Sequence, residues 1–284
     1  MDDFSFFSPG QIKIILKNSK FLATKYYLQN QIIMKRGQLF IMTAFFCCLA
    51  LVSCKKEETN NNGNNDNTNP QTTGTVVNNA VTDIDGNHYN AVWIGRKLWM
   101  KENLRTTKFP DGTIIEERVA PNGEESNVTI YGYLYEWNDV MHGSNSSNAN
   151  PSGVQGICPN GWHVPSEAEW EEMIDYVKSQ TQYCFNGQSP FIAKALASKT
   201  GWETSAIVGS IGNNQSANDA LGFSAYPAGH TWGGPDYFGT GAYFWSTTES
   251  DYGVYSPYLN NTSSHVNSRT MPISTGSSVR CIRD

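Results

Sequence analysis

Short runs of apolar and aromatic residues alternate with turn residues through the first third of the folded region. The turn signals at 85–87 (DGN) and 95–96 (GR) bracket a β-rich run from His88 to Ile94. Residues Lys97 to Met100 are therefore predicted to form its return strand in an antiparallel meander. Residues 131–141 (YGYLYEWNDVM) predict an aromatic strand that runs into a short helix.

Residues 161–173 (GWHVPSEAEWEEM) combine a histidine and four carboxylates with apolar positions at helical spacing. Ser166 followed by Glu169 forms a capping box, which predicts a helix that begins just after the serine. The positions expected on its buried face are Trp170, Met173, Ile174 and Val177. Capping, the helix dipole and solvation then explain the carboxylates. His163 is a candidate ligand or base, but no partner at a fixed spacing supports that role.

A second helix is predicted at 190–198, with Ile192, Ala195 and Leu196 facing inward. Short aromatic strands with turns follow it: GFSAYPAGH, GAYFWSTTE, a tyrosine-rich run at 252–258 and the closing SVRCIRD. Helices in the middle and short strands at both ends predict an α+β fold, in which two helices accompany a loop-rich antiparallel sheet.

The N-terminal region carries an export pattern. Residues 35–54 (KRGQLFIMTAFFCCLALVSC) place a basic pair before an apolar run that is short for a membrane span, and they end in a lipobox at Cys54. We interpret 34–53 as a lipoprotein signal peptide that starts at Met34 and 1–33 as an extension upstream of the true start. The alternative is a transmembrane anchor. Residues 54–75 would be a lipidated cysteine with a flexible Asn/Thr-rich tether, and 76–284 the folded domain.

Localisation and partners follow from that pattern. The lipid on Cys54 would attach the protein to a membrane. The Lys-Glu-Glu triplet at 56–58 resembles the surface-export signal of some Bacteroidetes-type lipoproteins, so we expect an outer-membrane lipoprotein that faces the cell surface. The formal net charge of −6 understates the acidity of the domain, because residues 1–53 are basic. Nucleic acid is therefore excluded as an expected partner.

Three cysteines remain in the domain: Cys158, Cys184 and Cys281. Export implies an oxidising compartment in which thiols pair. We predict a disulfide between Cys158, before the first long helix, and Cys281, in the final strand, with Cys184 left as the odd thiol. Such a bridge would close a long loop, worth about 4–5 kcal/mol in the loop-entropy model.

Two short patterns resemble calcium sites. Asp83, Asp85 and Asn87 match the first half of a calcium loop, but its twelfth position is Ile94 instead of glutamate, which favours a plain turn. The triplet at 137–139 (WND) matches a calcium-site triplet of C-type lectins, but it lies before the long helix and is interpreted as a helix start. We therefore expect no metal or cofactor, with calcium as the one candidate.

Seven motifs in order carry a family resemblance: VTDIDGNHY, IGRKLWMKENL, YGYLYEWNDV, GICPNGWHVPSEAEW, GFSAYPAG, YFWSTTES and SVRCIRD. They resemble the Fibrobacter succinogenes major paralogous domain over nearly all of residues 80–284. That family occurs in secreted and lipid-anchored proteins, and the resemblance implies no catalytic residues. HVPSEAEW and SVRCIRD are more distantly similar to the sulfatase-modifying-factor family, which implies a C-type-lectin-like fold. The active-site cysteine pair of its oxidase members has no counterpart in this chain.

A displayed binding module is the function these features favour, with glycans or other cell-surface proteins as partners. Its candidate contact residues are aromatic: Trp232, Tyr237, Tyr252, Tyr255 and Tyr258. The alternative for each of them is packing within the domain's own loops.

Two other functions stay open. One is a structural surface or matrix protein. The other, less favoured, is a glycan-directed enzyme, for which Glu136 and Asp139 share a helix face but would not clamp a glycosidic bond. A Cys158–His163 dyad is the remaining catalytic candidate, and a Cys158–Cys281 disulfide would remove it. No hydrolase or nucleotide-binding motif is present, and we expect no enzymatic activity.

Overall fold

The computed structural model describes residues 72–232 and 235–284. The predicted extension, the signal peptide, Cys54 and most of the tether lie outside the described residues. The described residues belong to one compact unit. Among the described residues, no helix has the length and apolarity needed to cross a membrane.

The described chain is mostly short strands joined by loops, with one long helix. In chain order the strands are β1 (Val76–Thr82), β2 (His88–Ile94), β3 (Lys97–Met100), β4 (Arg118–Val119), β5 (Leu134–Tyr135), β6 (His230–Thr231), β7 (Pro235–Asp236), β8 (Gly241–Tyr243), β9 (Glu249–Ser250), β10 (Gly253–Asn260), β11 (Asn267–Met271) and β12 (Ile282–Arg283). The α-helices are α1 (Val128–Tyr131), α2 (Trp137–Met141), α3 (Glu167–Ser179) and α4 (Ala193–Leu196). Single 3-10 turns lie at Pro121–Gly123, Glu125–Asn127, Thr181–Tyr183, Phe185–Gly187 and Gln215–Ala217.

The first sheet has the strand order β1-β2-β3-β12, so the final strand pairs with the predicted meander. All of its strand pairs are antiparallel. Leu98 of β3 lies between Trp93 of β2 on one side and Arg283 of β12 on the other. The second sheet has the order β11-β10-β8, with β9 also on β10, and β4–β5 and β6–β7 form two ribbons. Helices and antiparallel sheets together make this an α+β fold, as predicted.

Both faces of the first sheet are largely buried at β2 and β3, and each face belongs to a different hydrophobic cluster. Ala91, Leu98 and Met100 pack into the cluster that contains Trp245, whereas the alternate positions Val92 and Trp99 pack under α3. This division follows from the two-residue period of a strand, which sends successive side chains to opposite faces. The meander is therefore the central layer between the two cores.

The buried side chain of Arg280 connects the last segment of the chain to the first sheet through hydrogen bonds. The Arg280 guanidinium donates to Asn103 Oδ1 at 2.6 Å, to the Met100 carbonyl at 2.9 Å and to the Phe223 and Ser224 carbonyls at 2.6 and 2.8 Å. Burial lowers the pKa of Arg280 to about 10, so the group stays charged at neutral pH. Its fork of donors fits several carbonyl acceptors at once, which indicates a structural role.

The predicted start of the long helix is confirmed in detail. The Ser166 hydroxyl accepts from the Glu169 amide at 3.2 Å, and the Glu169 carboxylate accepts from the Ser166 amide at 3.0 Å. These two bonds complete the capping box at the start of α3. Of the four positions predicted to face inward, Trp170, Met173 and Val177 are buried and Ile174 is half-buried.

The second predicted helix, at 190–198, is wrong in length. Only the four residues of α4 are helical, although Ile192, Ala195 and Leu196 are buried as expected. The chain leaves the helix because Ala197 forms a parallel bridge with Ala225, and the Ser198 amide donates to the Ala225 carbonyl at 2.9 Å. Tertiary pairing therefore overrides helical periodicity in this segment.

The predicted disulfide between Cys158 and Cys281 is confirmed, and Cys184 is a buried thiol. The bridge joins residues 123 positions apart and ties the loop before α3 to the last strand. It also removes Cys158 as the nucleophile of a cysteine–histidine dyad.

The residues just before β1 also contact the folded domain. The Gly74 amide donates to the Trp93 carbonyl at 2.8 Å, and the Trp93 amide donates to the Thr75 carbonyl at 3.1 Å. Thr73 Oγ1 lies 2.8 Å from the Tyr176 hydroxyl oxygen of α3. The last residues assigned to the tether therefore extend the sheet and contact the long helix.

Candidate functional site

The five aromatic candidates lie at different places on the fold. Trp232 follows β6 and is 61% exposed, and Tyr237 follows β7 and is 42% exposed. Tyr252, in the turn between β9 and β10, is 88% exposed. Tyr255 and Tyr258 are half-buried and lie on opposite faces of β10, because their positions differ by three and successive side chains of a strand alternate between faces. Only Tyr237 and Tyr258 belong to one group of contacting rings.

That group is a tyrosine cluster, which we define as His230, Tyr237, Tyr243 and Tyr258. The His230 ring lies 5.1 Å from the Tyr237 ring and 4.7 Å from the Tyr243 ring, centroid to centroid. Tyr243 packs 5.8 Å from Tyr237 and stacks on Tyr258 at 5.2 Å. Such separations are typical of aromatic pairs that stabilise one another beyond simple burial.

The exposed member of the cluster is held in place by its backbone. Tyr237 adopts a φ of 59°, in a region that bulky residues rarely occupy. Its carbonyl accepts from the Thr240 and Gly241 amides at 3.0 and 2.8 Å. Gly229 packs directly beneath this turn, since a Cβ there would lie 2.3 Å from the Asp236 carbonyl oxygen. The ring is therefore positioned before any ligand arrives, which lowers the entropic cost of binding.

His230 is the unusual member of the tyrosine cluster. It is buried, and neither of its ring nitrogens has a hydrogen-bond partner among the described residues. Burial lowers the pKa of His230, so the imidazole is neutral at physiological pH. Burial also raises the pKa of Tyr243 to about 12, against the opposing charge of Arg269. The buried members of the tyrosine cluster, His230 and Tyr243, are therefore uncharged. The His230 ring retains hydrogen-bonding atoms that have no partner among the described residues.

A second group of functional side chains surrounds the start of α3. This Glu169 cluster consists of Lys97, His163, Glu169 and Asp284. Glu169 is fully buried, and its Oε1 accepts from Lys97 Nζ at 3.0 Å and lies 2.9 Å from His163 Nε2. Its Oε2 accepts from the Ser166 and Ser152 amides at 3.0 and 3.2 Å. Lys97 also forms an ion pair with Asp284.

The Glu169 cluster corrects the interpretation of residues 161–173. Solvation and capping do not fully explain the carboxylates, because Glu169 is buried and bonded to a distant lysine. His163 does have a partner, and that partner is the capping glutamate itself. Burial alone would raise the pKa of Glu169, but hydrogen bonds from His163, Ser166 and Lys97 outweigh it and hold the pKa below its ordinary value.

The cluster contains the ligand types of a metal site, but its geometry does not fit an ion. One ligand atom from each of His163, Glu169 and Asp284 lies within 4.8 Å of the others. The Lys97 ammonium contacts both carboxylates and so supplies the positive charge that a cation would bring. A metal would have to displace this ammonium.

A cavity of about 540 Å³ adjoins the Glu169 cluster between the β2–β3 turn and α3. Its lining includes Gly95, Lys97, Trp99, Met173 and Tyr176. Thr72 and Thr73 line it as well, so the segment that enters the domain partly covers the opening. The cavity therefore lies where the tether meets the fold.

The predicted calcium candidates form a hydrogen-bonded turn. Asp83 Oδ1 accepts from the Asp85 and Asn87 amides at 3.0 and 2.9 Å, and its Oδ2 accepts from the Tyr89 hydroxyl at 2.6 Å. Asp85 accepts from Thr107 Oγ1 at 2.9 Å and faces Lys108. These carboxylates already accept hydrogen bonds from protein donors.

The acidic helix face at α2 has a mainly structural environment. Trp137 is buried and its indole N–H donates to the Ser246 carbonyl at 2.9 Å. Burial raises the pKa of both Glu136 and Asp139, and the nearby charge of Glu117 raises each further. The charges of these three carboxylates therefore act on one another.

Sequence reasoning missed His230, Tyr243 and the partners of Glu169. His230 and Tyr243 have ordinary neighbours in the sequence, and only strand pairing brings their rings together. Lys97 and Asp284 meet Glu169 through the first sheet, which no local pattern encodes. The one local signal available was the six-residue spacing of His163 and Glu169 around the helix start.

Comparison with protein-family models identifies a family for this chain. The model of the Fibrobacter succinogenes major domain matches residues 92–283. No curated protein and no solved structure matches the chain. The matched range includes all the strands from β3 onward, the tyrosine cluster, the disulfide and, except for Asp284, the Glu169 cluster.

Proposed function

Because the chain belongs to the Fibrobacter succinogenes major domain family, whose members are cell-surface-type domains, we propose that it is a displayed binding module for glycans. In this proposal Cys54 carries a lipid, the Asn/Thr-rich segment spaces the domain from the outer membrane, and the domain faces the surroundings of the cell. The module has no enzymatic activity. A C-type-lectin-like arrangement of the fold is part of the same proposal.

The tyrosine cluster is the observation that carries the proposal. Sugar rings present apolar C–H faces that stack on aromatic rings, and their hydroxyls need polar groups at the rim. Tyr237 offers a fixed, partly exposed ring above an aromatic floor, and Asp236 is exposed beside it. Trp232 adds a largely exposed indole after the strand that pairs with β7. This region therefore supplies both stacking surfaces and a rim acceptor.

The position of Arg269 adds a polar donor to the same side of the second sheet. Arg269 lies opposite Ser256 on β10, and Tyr258 follows two residues later on that face. A guanidinium and a carboxylate on either side of aromatic rings can each hold vicinal sugar hydroxyls. We therefore expect neutral or mildly acidic glycans to bind without any metal.

The test is a binding screen of residues 67–284 on a glycan array, followed by titration of each hit in solution. Trp232→Ala and Tyr237→Asn are expected to lose binding; the asparagine tolerates the positive φ of position 237. Tyr252→Ala is the control, because it removes an even more exposed aromatic ring that lies in the β9–β10 turn and outside the tyrosine cluster, and it should bind as the wild type does. A blank array from a folded domain would reject glycan recognition and favour a protein-binding or matrix role.

A further inference from the structure

Trp99 differs from three other buried tryptophans in its hydrogen bonding. The indole N–H groups of Trp137, Trp170 and Trp245 donate to backbone carbonyls at 2.9, 3.3 and 2.7 Å. Trp99 is also fully buried, but its Nε1 has no hydrogen-bond acceptor among the described residues. Buried donors in proteins are nearly always paired, because a buried donor without an acceptor costs free energy. The Trp99 indole N–H therefore retains an unused bonding capacity.

Trp99 belongs to the lining of the cavity of about 540 Å³ between the β2–β3 turn and α3. The apolar part of this lining also includes Ile94 of β2 and Met173 and Tyr176 of α3. The volume of the cavity is within the range of small-molecule sites, which combine an apolar wall with a few polar groups that orient the ligand. An indole donor in an otherwise apolar wall fits that description.

Hydrogen bonds of Thr73 join the two walls of this cavity. Thr73 Oγ1 accepts from the Gly95 amide at 3.1 Å and lies 2.8 Å from the Tyr176 hydroxyl oxygen. All three residues line the cavity, so one side chain connects the β2–β3 turn to α3 at its edge. The cavity is therefore formed before a ligand binds, which lowers the entropic cost of binding.

The formal charges of the lining side chains balance one another. The cations Arg96 and Lys97 line the cavity together with the carboxylates of Glu169 and Glu172. The buried Lys97 ammonium is already paired with Glu169, at 3.0 Å, and with Asp284. A charged ligand would find no unpaired buried charge of opposite sign in this lining, and its own burial would cost free energy. The lining therefore favours a neutral ligand.

We propose that this cavity binds a neutral, largely apolar ring compound that carries one hydrogen-bond acceptor, such as a carbonyl oxygen. The ring packs against Met173 and the other apolar lining residues, and the oxygen accepts from Trp99 Nε1. The tyrosine cluster shares no residue with this lining, so the site is independent of glycan binding. Thr72 and Thr73 line the cavity, and a ligand there therefore contacts the segment that enters the domain.

The test compares two probes of the same shape: acetophenone and α-methylstyrene, in which a methylene group replaces the carbonyl oxygen. Each probe is titrated into folded, ¹⁵N-labelled residues 67–284, and the indole N–H resonances of the tryptophans are recorded by NMR. We expect acetophenone to shift the Trp99 resonance saturably and to bind about tenfold more tightly than α-methylstyrene, because only acetophenone can accept from the indole. The Trp245 indole, which already has an acceptor, is the internal control.

Variants of the lining complete the test, each shown to be folded by its unfolding midpoint. Trp99→Phe removes the donor and identifies the Trp99 resonance by its absence, and it should lose the preference for acetophenone. Met173→Trp fills part of the cavity and should abolish binding of both probes. Glu171→Trp adds the same ring to an exposed position of α3 outside the lining and should bind as the wild type does. In the wild type, an unshifted Trp99 resonance in saturated acetophenone, or equal affinity for the two probes, would overturn the proposal.

Discussion

The Glu169 cluster and the tyrosine cluster each contain a histidine, and the two histidines have opposite environments. His163 contacts a buried carboxylate that is bonded on every side. His230 lies among aromatic rings, and neither of its nitrogens has a hydrogen bond among the described residues. A fully bonded buried network fixes a structure, whereas an unbonded polar ring beneath an exposed tyrosine retains bonding capacity. We therefore assign the first cluster mainly to stability and the second to recognition.

Of the substitutions that test this comparison, removal of the Glu169 side chain should have the largest effect on the free energy of unfolding. Glu169→Ala leaves the Lys97 and His163 donors without their acceptor and breaks the capping box, so we expect a loss of about 3–5 kcal/mol in the free energy of unfolding. Urea unfolding monitored by tryptophan fluorescence measures it. Glu171→Ala on the exposed side of the same helix is the control and should change little. An equally small loss for both variants would show that the network does not stabilise the fold.

Replacement of each histidine by phenylalanine should lower the free energy of unfolding in the Glu169 cluster but not in the tyrosine cluster. His163→Phe removes a partner of the buried carboxylate, and we expect it to cost about 1–3 kcal/mol. His230→Phe removes a buried imidazole without bonds, so the free energy of unfolding should stay level or rise by up to about 1 kcal/mol. The two unfolding midpoints, measured side by side, give the comparison. Equal destabilisation by both substitutions would mean that His230 has a structural partner.

The smallest expected effect is a pH dependence specific to the Glu169 cluster. The pKa of Glu169 is lowered in the folded protein, so its contribution is fully present above the unfolded value of about 4.3 and is lost as the pH falls through the folded value. Wild-type stability should therefore fall more steeply in acid than that of Glu169→Ala. Unfolding free energies measured across this acidic range test it, and parallel curves for the two proteins would contradict it.

Local chemistry made much of the fold predictable. The turns around His88–Ile94 set the meander, Ser166 and Glu169 set the start of α3, and the export pattern implied the oxidising setting in which Cys158 and Cys281 pair. The helix at 190–198 failed because Ala197 pairs with Ala225, a contact between segments distant in sequence. Interactions that depend on strand pairing leave no local pattern.

The candidate sites were less predictable for the same reason. Tyr237 was identified from its aromatic, glycine-rich surroundings, but its neighbours His230 and Tyr243 come from other strands. Tyr255 and Tyr258 looked equivalent in sequence, and the alternation of β10 places them on opposite faces. Glu169 was assigned to capping correctly, while Lys97 and Asp284 reach it only through the register of β3 and β12.

The central claim is that the tyrosine cluster is a recognition surface. Its most direct test is titration of array-selected glycans into wild-type residues 67–284, Tyr237→Asn and Tyr252→Ala, each shown to be folded by its unfolding midpoint. We expect saturable binding by the wild type and by Tyr252→Ala, and its loss in Tyr237→Asn. Equal binding by all three proteins would place the glycan elsewhere and contradict the account.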